Sequence, residues 1–239
     1  MLDKVKHLYE PNWLKEMCLV SFVVIAFVVA CATTMPFLSI ASFCVSQVLC
    51  SWCSHSMIHS RNQNLRKVAN VLSPTVLGLS CSWWKEDHNM HHMFTNSMRF
   101  DHYLKHEYSV CLYPLLYLKW RLETVIHSLM NLKWVDIMLV PLNYYMISRQ
   151  KLVYFVLGIL TAGFYTANIL VAIHEREKRY NNEIKDDFIE HHISTCRNFG
   201  CEGILPLILM GGMQYQTEHH LFPQIPFYNL PSAKPILAE

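Results

Sequence analysis

Three histidines fall within five positions of this sequence, at His88, His91 and His92. Residues three and four apart lie on one face of a helix, so these side chains can point toward one spot. Neutral imidazole binds iron, zinc, copper and nickel. The spacing therefore indicates metal binding, although a single cluster of this kind is equally typical of a solvated histidine-rich turn.

Two further clusters show the same helical spacing, and one more histidine ends an apolar run. The candidate ligands are His55, His59, His88, His91, His92, His174, Gln216, His219 and His220. These groups are too many for one tetrahedral zinc ion, which takes four ligands. They suit two metal ions with open positions for oxygen or water. Neighbouring carboxylates are expected to hold the imidazole N–H groups, and the candidates are Glu86, Asp87, Glu175 and Glu218.

Other metal chemistries fit the sequence less well. The HExxH pattern of metalloproteases is absent, because His106-Glu107 and His174-Glu175 lack the second histidine. Haem held by two histidines in a membrane would need histidines inside the apolar runs, and none lies in 17–54 or 152–173.

The composition indicates the kind of protein that must position these groups. Hydrophobic residues make up 52% of the 239 residues and charged residues only 16%, against about 25% charged in soluble domains. The net charge of +2 gives no reason to expect nucleic acid as a partner. The nine cysteines are expected to be reduced thiols of an intracellular membrane protein. The length favours a single domain over residues 1–239.

Uncharged runs define the expected membrane spans. No charged residue occurs from Met17 to Ser54, which is long enough for two helices across a core of about 30 Å. The predicted spans are 17–35, 36–54, 134–148 and 152–173. Lysines before the first hairpin and arginines after it place both its ends in the cytosol. We expect interfacial helices over 71–84 and 112–130. The predicted fold is an all-α integral membrane protein, with about four transmembrane helices in two hairpins beneath a cytosolic histidine-rich cap.

The order HxxxH, HxxHH and QxxHH resembles the histidine boxes of the membrane-bound fatty acid desaturases. The stretch 211–223 is similar to the third box of the front-end acyl-lipid and sphingolipid desaturases, in which the leading residue is a glutamine, here Gln216. Ser82-Trp83-Trp84-Lys85 and Thr195-Cys196-Arg197-Asn198 also resemble that subgroup. The resemblance extends from about Val45 to the end of the sequence.

This resemblance implies a non-haem centre of two iron ions that uses O2 to desaturate a lipid acyl chain. The matching catalytic and ligand positions are His55, His59, His88, His91, His92, Gln216, His219 and His220, with His174 as a further metal ligand. No HPGG motif of a fused cytochrome b5 domain occurs. Electrons are therefore expected from a separate cytochrome b5 and its NADH-dependent reductase, or else the sequence is a fragment or splice form. The expected location is the endoplasmic reticulum membrane, with the site facing the cytosol.

Alternatives within the family stay open. The same site serves sphingoid-base desaturation or acyl hydroxylation, and the chain could be an inactive relative, because Ser56 stands where the first box usually has aspartate. The acyl carrier and the attacked carbon do not follow from the sequence. His102 and His106 also have HxxxH spacing but are not expected to bind metal. His191 and His192 are expected at the surface or against a lipid headgroup, and His7 and His127 are given no role.

Overall fold

Three long apolar helices form the centre of the fold. The computed structural model describes residues 2–101, 110–149, 151–174 and 187–237. In that part of the chain, α2 (Trp13–Ala32), α3 (Pro36–His59) and α8 (Leu152–His174) are long and apolar enough to cross a membrane. Every regular element in the described residues is helical, so the expected all-α class is confirmed.

The first hairpin begins four residues earlier than the uncharged run predicts. Asn12 starts α2, because its side chain accepts a hydrogen bond from the Lys15 N–H at 3.1 Å. Glu16 is buried inside the helix and accepts a hydrogen bond from the Tyr228 hydroxyl at 3.0 Å. A charged residue is thus tolerated because the C-terminal segment supplies its partner. Pro36, which needs no N–H partner at a helix start, begins α3.

The second hairpin joins α7 (Trp134–Ser148) to α8. The predicted fourth span coincides with α7, but its 15 residues extend only about 22 Å at about 1.5 Å per residue. That length is below the membrane core of about 30 Å. Three spanning helices are supported, and the fourth span stays a prediction.

The prediction of one interfacial helix over 71–84 is wrong, because this stretch is divided between two helices. After α1 (Leu2–Val5), α2 and α3, helix α4 (Gln63–Leu72) ends in a π-helical turn, and α5 (Cys81–Met93) begins only after a break. Gly78 turns the chain at φ +66°, and a Cβ there would lie 2.5 Å from an Arg121 guanidinium nitrogen. The break directs α5 back toward the end of α3.

Helix α6 (Leu116–Met130) confirms the helix expected over 112–130, although its first residues form a 3₁₀ turn. Arg121 is buried on this helix and donates hydrogen bonds to Asn143 Oδ1 at 2.9 Å and Gln47 Oε1 at 3.1 Å. These bonds connect α6 to α7 and α3.

Four short helices form the rest of the histidine-rich cap. They are α9 (Phe188–Thr195), α10 (Ile204–Met210), α11 (Gln216–Leu221) and α12 (Leu230–Leu237). Gly211 and Gly212 have φ of +59° and +78°, and a Cβ on Gly211 would lie 2.3 Å from Trp52. This left-handed turn lets the chain pass close to α3 and start α11 beside the histidines of that helix.

Candidate metal centre

The larger of two histidine groups draws on three helices. Its members are His55 and His59 at the end of α3, His88 and His92 on α5, and His219 on α11. One ligand atom from each lies within 4.8 Å of those of the others. Because each pair on α3 and α5 is one helical turn apart, its rings share a face.

The spacing inside this group is that of metal ligands. His88 Nε2 lies 3.0 Å from His55 Nε2 and 2.9 Å from His92 Nε2. An imidazole nitrogen carries either one hydrogen or one lone pair, so His88 Nε2 cannot satisfy both neighbours by hydrogen bonding. Adjacent ligands of one octahedral ion with bonds of about 2.1 Å are about 3.0 Å apart. The group therefore fits a bound cation.

The second group consists of His91, His174 and His220, whose ligand atoms also lie within 4.8 Å of one another. His91 Nδ1 lies 2.9 Å from Asp101 Oδ2, and His174 Nδ1 lies 3.3 Å from the Thr195 carbonyl oxygen. Both acceptors place the ring proton on Nδ1. The two Nε2 lone pairs then face each other at 3.1 Å, which is repulsive unless a cation lies between them.

The tautomer of His220 is set in the same way. The Thr95 hydroxyl donates to the His91 carbonyl oxygen at 2.8 Å, so its oxygen is left to accept from His220 Nδ1 at 3.1 Å. His220 Nε2 is buried without a hydrogen-bond partner among the described residues. All three imidazoles of the second group therefore present an Nε2 lone pair.

Gln216 adds an amide to this second group. Its Nε2 lies 2.8 Å from His174 Nε2, and its Oε1 is buried with no hydrogen-bond partner in the described part of the chain. Amide nitrogen and oxygen exchange places by rotation of the side chain. Rotation would bring Oε1 toward the three lone pairs as a neutral oxygen ligand.

Burial favours the uncharged form of four of these imidazoles. It lowers the pKa values of His88, His92, His219 and His220 well below the usual histidine range, and neighbouring imidazoles lower them further. Neutral imidazole is the form that binds metal. The nine residues expected from the sequence thus lie in or beside the two groups, and their role as ligands stays a proposal.

Asp101, a carboxylate that the sequence did not single out, contacts a candidate ligand. Asp101 is buried and bonded to His91, and it also accepts from the Asn96 N–H at 2.8 Å. Burial raises the pKa of Asp101, but the interactions with His91, the Asn96 N–H and His174 together leave that pKa below its usual range. Glu86 instead lies 3.2 Å from His127 on the surface.

The remaining expectations have mixed outcomes. Glu218 accepts a hydrogen bond from Asn198 Nδ2 at 2.7 Å, and Glu175, His102 and His106 lie outside the described residues. Ser56 accepts from the Phe227 N–H at 3.3 Å, so it links α3 to the C-terminal segment.

The surface position expected for His191 and His192 is wrong. Their exposed fractions are 2% and 0%. Both lie on α9. The Thr195 carbonyl at the end of this helix accepts a hydrogen bond from His174 Nδ1, so α9 packs against the second histidine group.

Replacing Asp101 with leucine should weaken metal binding about 10- to 100-fold, because the His91 ring loses the acceptor that orients it. Asp101→Asn should lose less metal affinity, since its amide oxygen can still accept a hydrogen bond from His91 Nδ1. Metal affinity is measured by competition with a chelator. Glu86→Gln is the matched control and should bind as the unchanged chain does; equal affinity for Asp101→Leu would contradict the assignment.

A cavity of about 140 Å³ opens directly beside the two groups. The candidate ligands that line it are His55, His88, His91, His174 and Gln216. Most of its remaining wall is apolar and includes Leu77, Trp120 and Leu170. The cavity therefore offers an apolar ligand a position between the spanning helices and the imidazoles.

Comparison with known proteins agrees with this arrangement. The family model described as fatty acid desaturase matches residues 25–239. The Delta(6)-fatty-acid desaturase fat-3 of Caenorhabditis elegans is 33% identical over 82 residues, which is 34% of this chain and 18% of that protein. The Delta(5) fatty acid desaturase fat-4 of the same organism is 29% identical over 91 residues, 37% of this chain and 20% of that protein.

A third relative is the Acyl-lipid (9-3)-desaturase of Physcomitrium patens. It is 41% identical over 51 residues, which is 20% of this chain and 10% of that protein. Each of the three alignments covers a fifth or less of the relative's own length.

Proposed function

The chain belongs to the fatty acid desaturase family, and on that basis we propose that it introduces a double bond into a lipid acyl chain at two iron ions. The net change would be removal of two hydrogens from neighbouring methylenes, with O2, two electrons and two protons yielding two waters. We propose a single catalytic domain over residues 1–239.

One observation carries the proposal: two groups of imidazoles converge at the wall of an apolar cavity. In the second group, hydrogen bonds at Nδ1 direct the lone pairs of His91, His174 and His220 inward. In the first, His55, His59, His88, His92 and His219 lie at ligand spacing. Two irons bound there would supply the oxidising chemistry that an unactivated methylene pair requires.

The protein's own part is to hold the acyl chain and exclude water. Thr166 lines the cavity eight residues before His174 on α8, which is about 12 Å along the helix. The Tyr117 hydroxyl shares hydrogen bonds with Ser51 at 2.5 Å and Thr166 at 3.2 Å. These bonds engage the Ser51 and Thr166 hydroxyls of the cavity wall, so methylenes can pack against this part of it.

The front-end type is part of this proposal. It is supported by Gln216 in the leading place of the third box and by relatives that are named Delta(6) and Delta(5) desaturases. The proposed partners are a lipid acyl substrate, a separate cytochrome b5 and its NADH-dependent reductase. We also propose the endoplasmic reticulum membrane as location, with the histidines on the cytosolic side.

The test is lipid analysis of cells that express the chain together with cytochrome b5. We expect a new unsaturated acyl product after feeding of polyunsaturated precursors, and none from a chain carrying His91→Ala. A hydroxylated acyl chain or an unsaturated sphingoid base would replace the proposed reaction with another one on the same site. No new lipid of any of these kinds, from a chain that binds iron, would overturn the proposal.

A further inference from the structure

A third group of potential ligands shares one residue with the second histidine group, and its other two members lie outside the three sequence boxes. It consists of His192, Cys196 and His220, whose ligand atoms lie within 4.8 Å of one another. His192 and Cys196 are one helical turn apart at the end of α9, so they share a face. The ring centroids of His192 and His220 are 5.2 Å apart.

His192 is the unusual member of this group. Its exposed fraction is 0%, and neither of its ring nitrogens has a hydrogen-bond partner within the described ranges. Buried polar atoms are nearly always paired, so an imidazole with two unsatisfied nitrogens calls for a ligand. Burial lowers the pKa of His192 to about 4, and His191 contributes, so the ring is uncharged at neutral pH.

The backbone holds the group in place. The Thr195 carbonyl accepts hydrogen bonds from His174 Nδ1 and from Asn96 Nδ2, both at 3.3 Å. The next two N–H groups are also engaged, since Cys196 N–H donates to the His192 carbonyl at 3.0 Å and Arg197 N–H donates to the Ile173 carbonyl at 3.2 Å. The end of α9 is therefore fixed against the end of α8.

We propose that His192, Cys196 and His220 form a further metal-binding position for a borderline-soft divalent cation such as Zn²⁺. Two imidazoles and a thiolate are the donor set that zinc prefers, and three protein ligands leave one place for water. The thiol proton is released on binding.

The position excludes simultaneous use of His220 by the second group. Because His220 Nδ1 is held by Thr95, only Nε2 remains as a ligand atom, and its one lone pair binds one ion. Zinc bound here would take His220 away from His91 and His174. The structure thus couples a soft-metal position to the candidate iron position through one imidazole.

The test is X-ray absorption at the zinc edge on the full chain, purified in detergent and loaded with Zn²⁺. We expect a sulfur ligand at about 2.3 Å besides nitrogens at about 2.0–2.1 Å. Cys196→Ser should remove the sulfur signal, and His192→Gln should weaken it, because His220 is then free to bind the ion of the second group. Cys201→Ser is the matched control, because Cys201 is a half-buried thiol five residues along the chain, and it should keep the full sulfur signal.

Absence of a sulfur ligand in the unchanged chain, or its persistence in Cys196→Ser, would overturn the proposal. An undiminished sulfur signal in His192→Gln would do the same, and this variant keeps the thiol should Cys196→Ser fail to fold. The inference does not rest on the proposed reaction, since a chain without desaturase activity would still show the sulfur ligand.

Discussion

Replacing His88 with alanine should reduce product formation by more than about 100-fold and lower bound iron from two ions to one per chain. His88 Nε2 lies 3.0 Å from His55 Nε2 and 2.9 Å from His92 Nε2. Its loss therefore removes the ligand that is in contact with two others of the first group. Loss of a residue that only orients a ligand already costs about 10- to 100-fold, and loss of a ligand should cost more. Iron is measured by elemental analysis and product by gas chromatography.

His7→Ala is the control for this variant, because His7 is an exposed histidine outside both groups. It should retain iron and product. His88→Asn tests whether a smaller polar side chain restores either. Full iron content in His88→Ala would show that the first group is not a metal site, whatever happens to activity.

Helical spacing predicted part of how the side chains group. The four-residue pairs meet as expected, but His91 and His220 lie in the second group, apart from their sequence neighbours His88, His92 and His219. His55 with His59 and His88 with His92 are each one turn apart, and each pair lies on one face of a single helix in the structure. The uncharged runs likewise located the long helices, because a membrane core excludes unpaired charge. Their ends were less predictable. Glu16 lies inside α2 only because Tyr228, more than two hundred residues away, donates to it.

The features of the site that the sequence did not predict depend on contacts between residues that are distant in the chain or lie on different helices. The expected carboxylates were neighbours of the ligands in sequence, whereas Asp101 reaches His91 across ten positions. The turn between them includes Asn96 at φ +63°, a conformation that asparagine tolerates, and no periodic pattern announces it. For His192 a local signal did exist, since His192 and Cys196 have helical spacing. It became meaningful only when α9 was placed against His220.

A larger side chain in the cavity should weaken binding of the acyl substrate and leave metal binding unchanged. Ala167 lines the cavity on α8, seven residues before His174 and therefore about 10 Å from it along the helix. Ala167→Phe would place a phenyl ring where the acyl chain is proposed to lie. We expect at least a tenfold loss of product from long acyl chains, with two irons retained and shorter chains less affected.

The same substitution at Ala172 is the control, because Ala172 is exposed on the same helix and its added ring would point away from the protein interior. It should leave product, iron content and chain-length preference unchanged. Overpacking alone costs about 1–3 kcal/mol of stability, so thermal unfolding of both variants is measured in parallel. A tenfold loss with iron intact would show that the cavity and the imidazoles make separate contributions to one reaction. If Ala167→Phe and Ala172→Phe were equally active on long chains, the acyl chain would have to lie elsewhere.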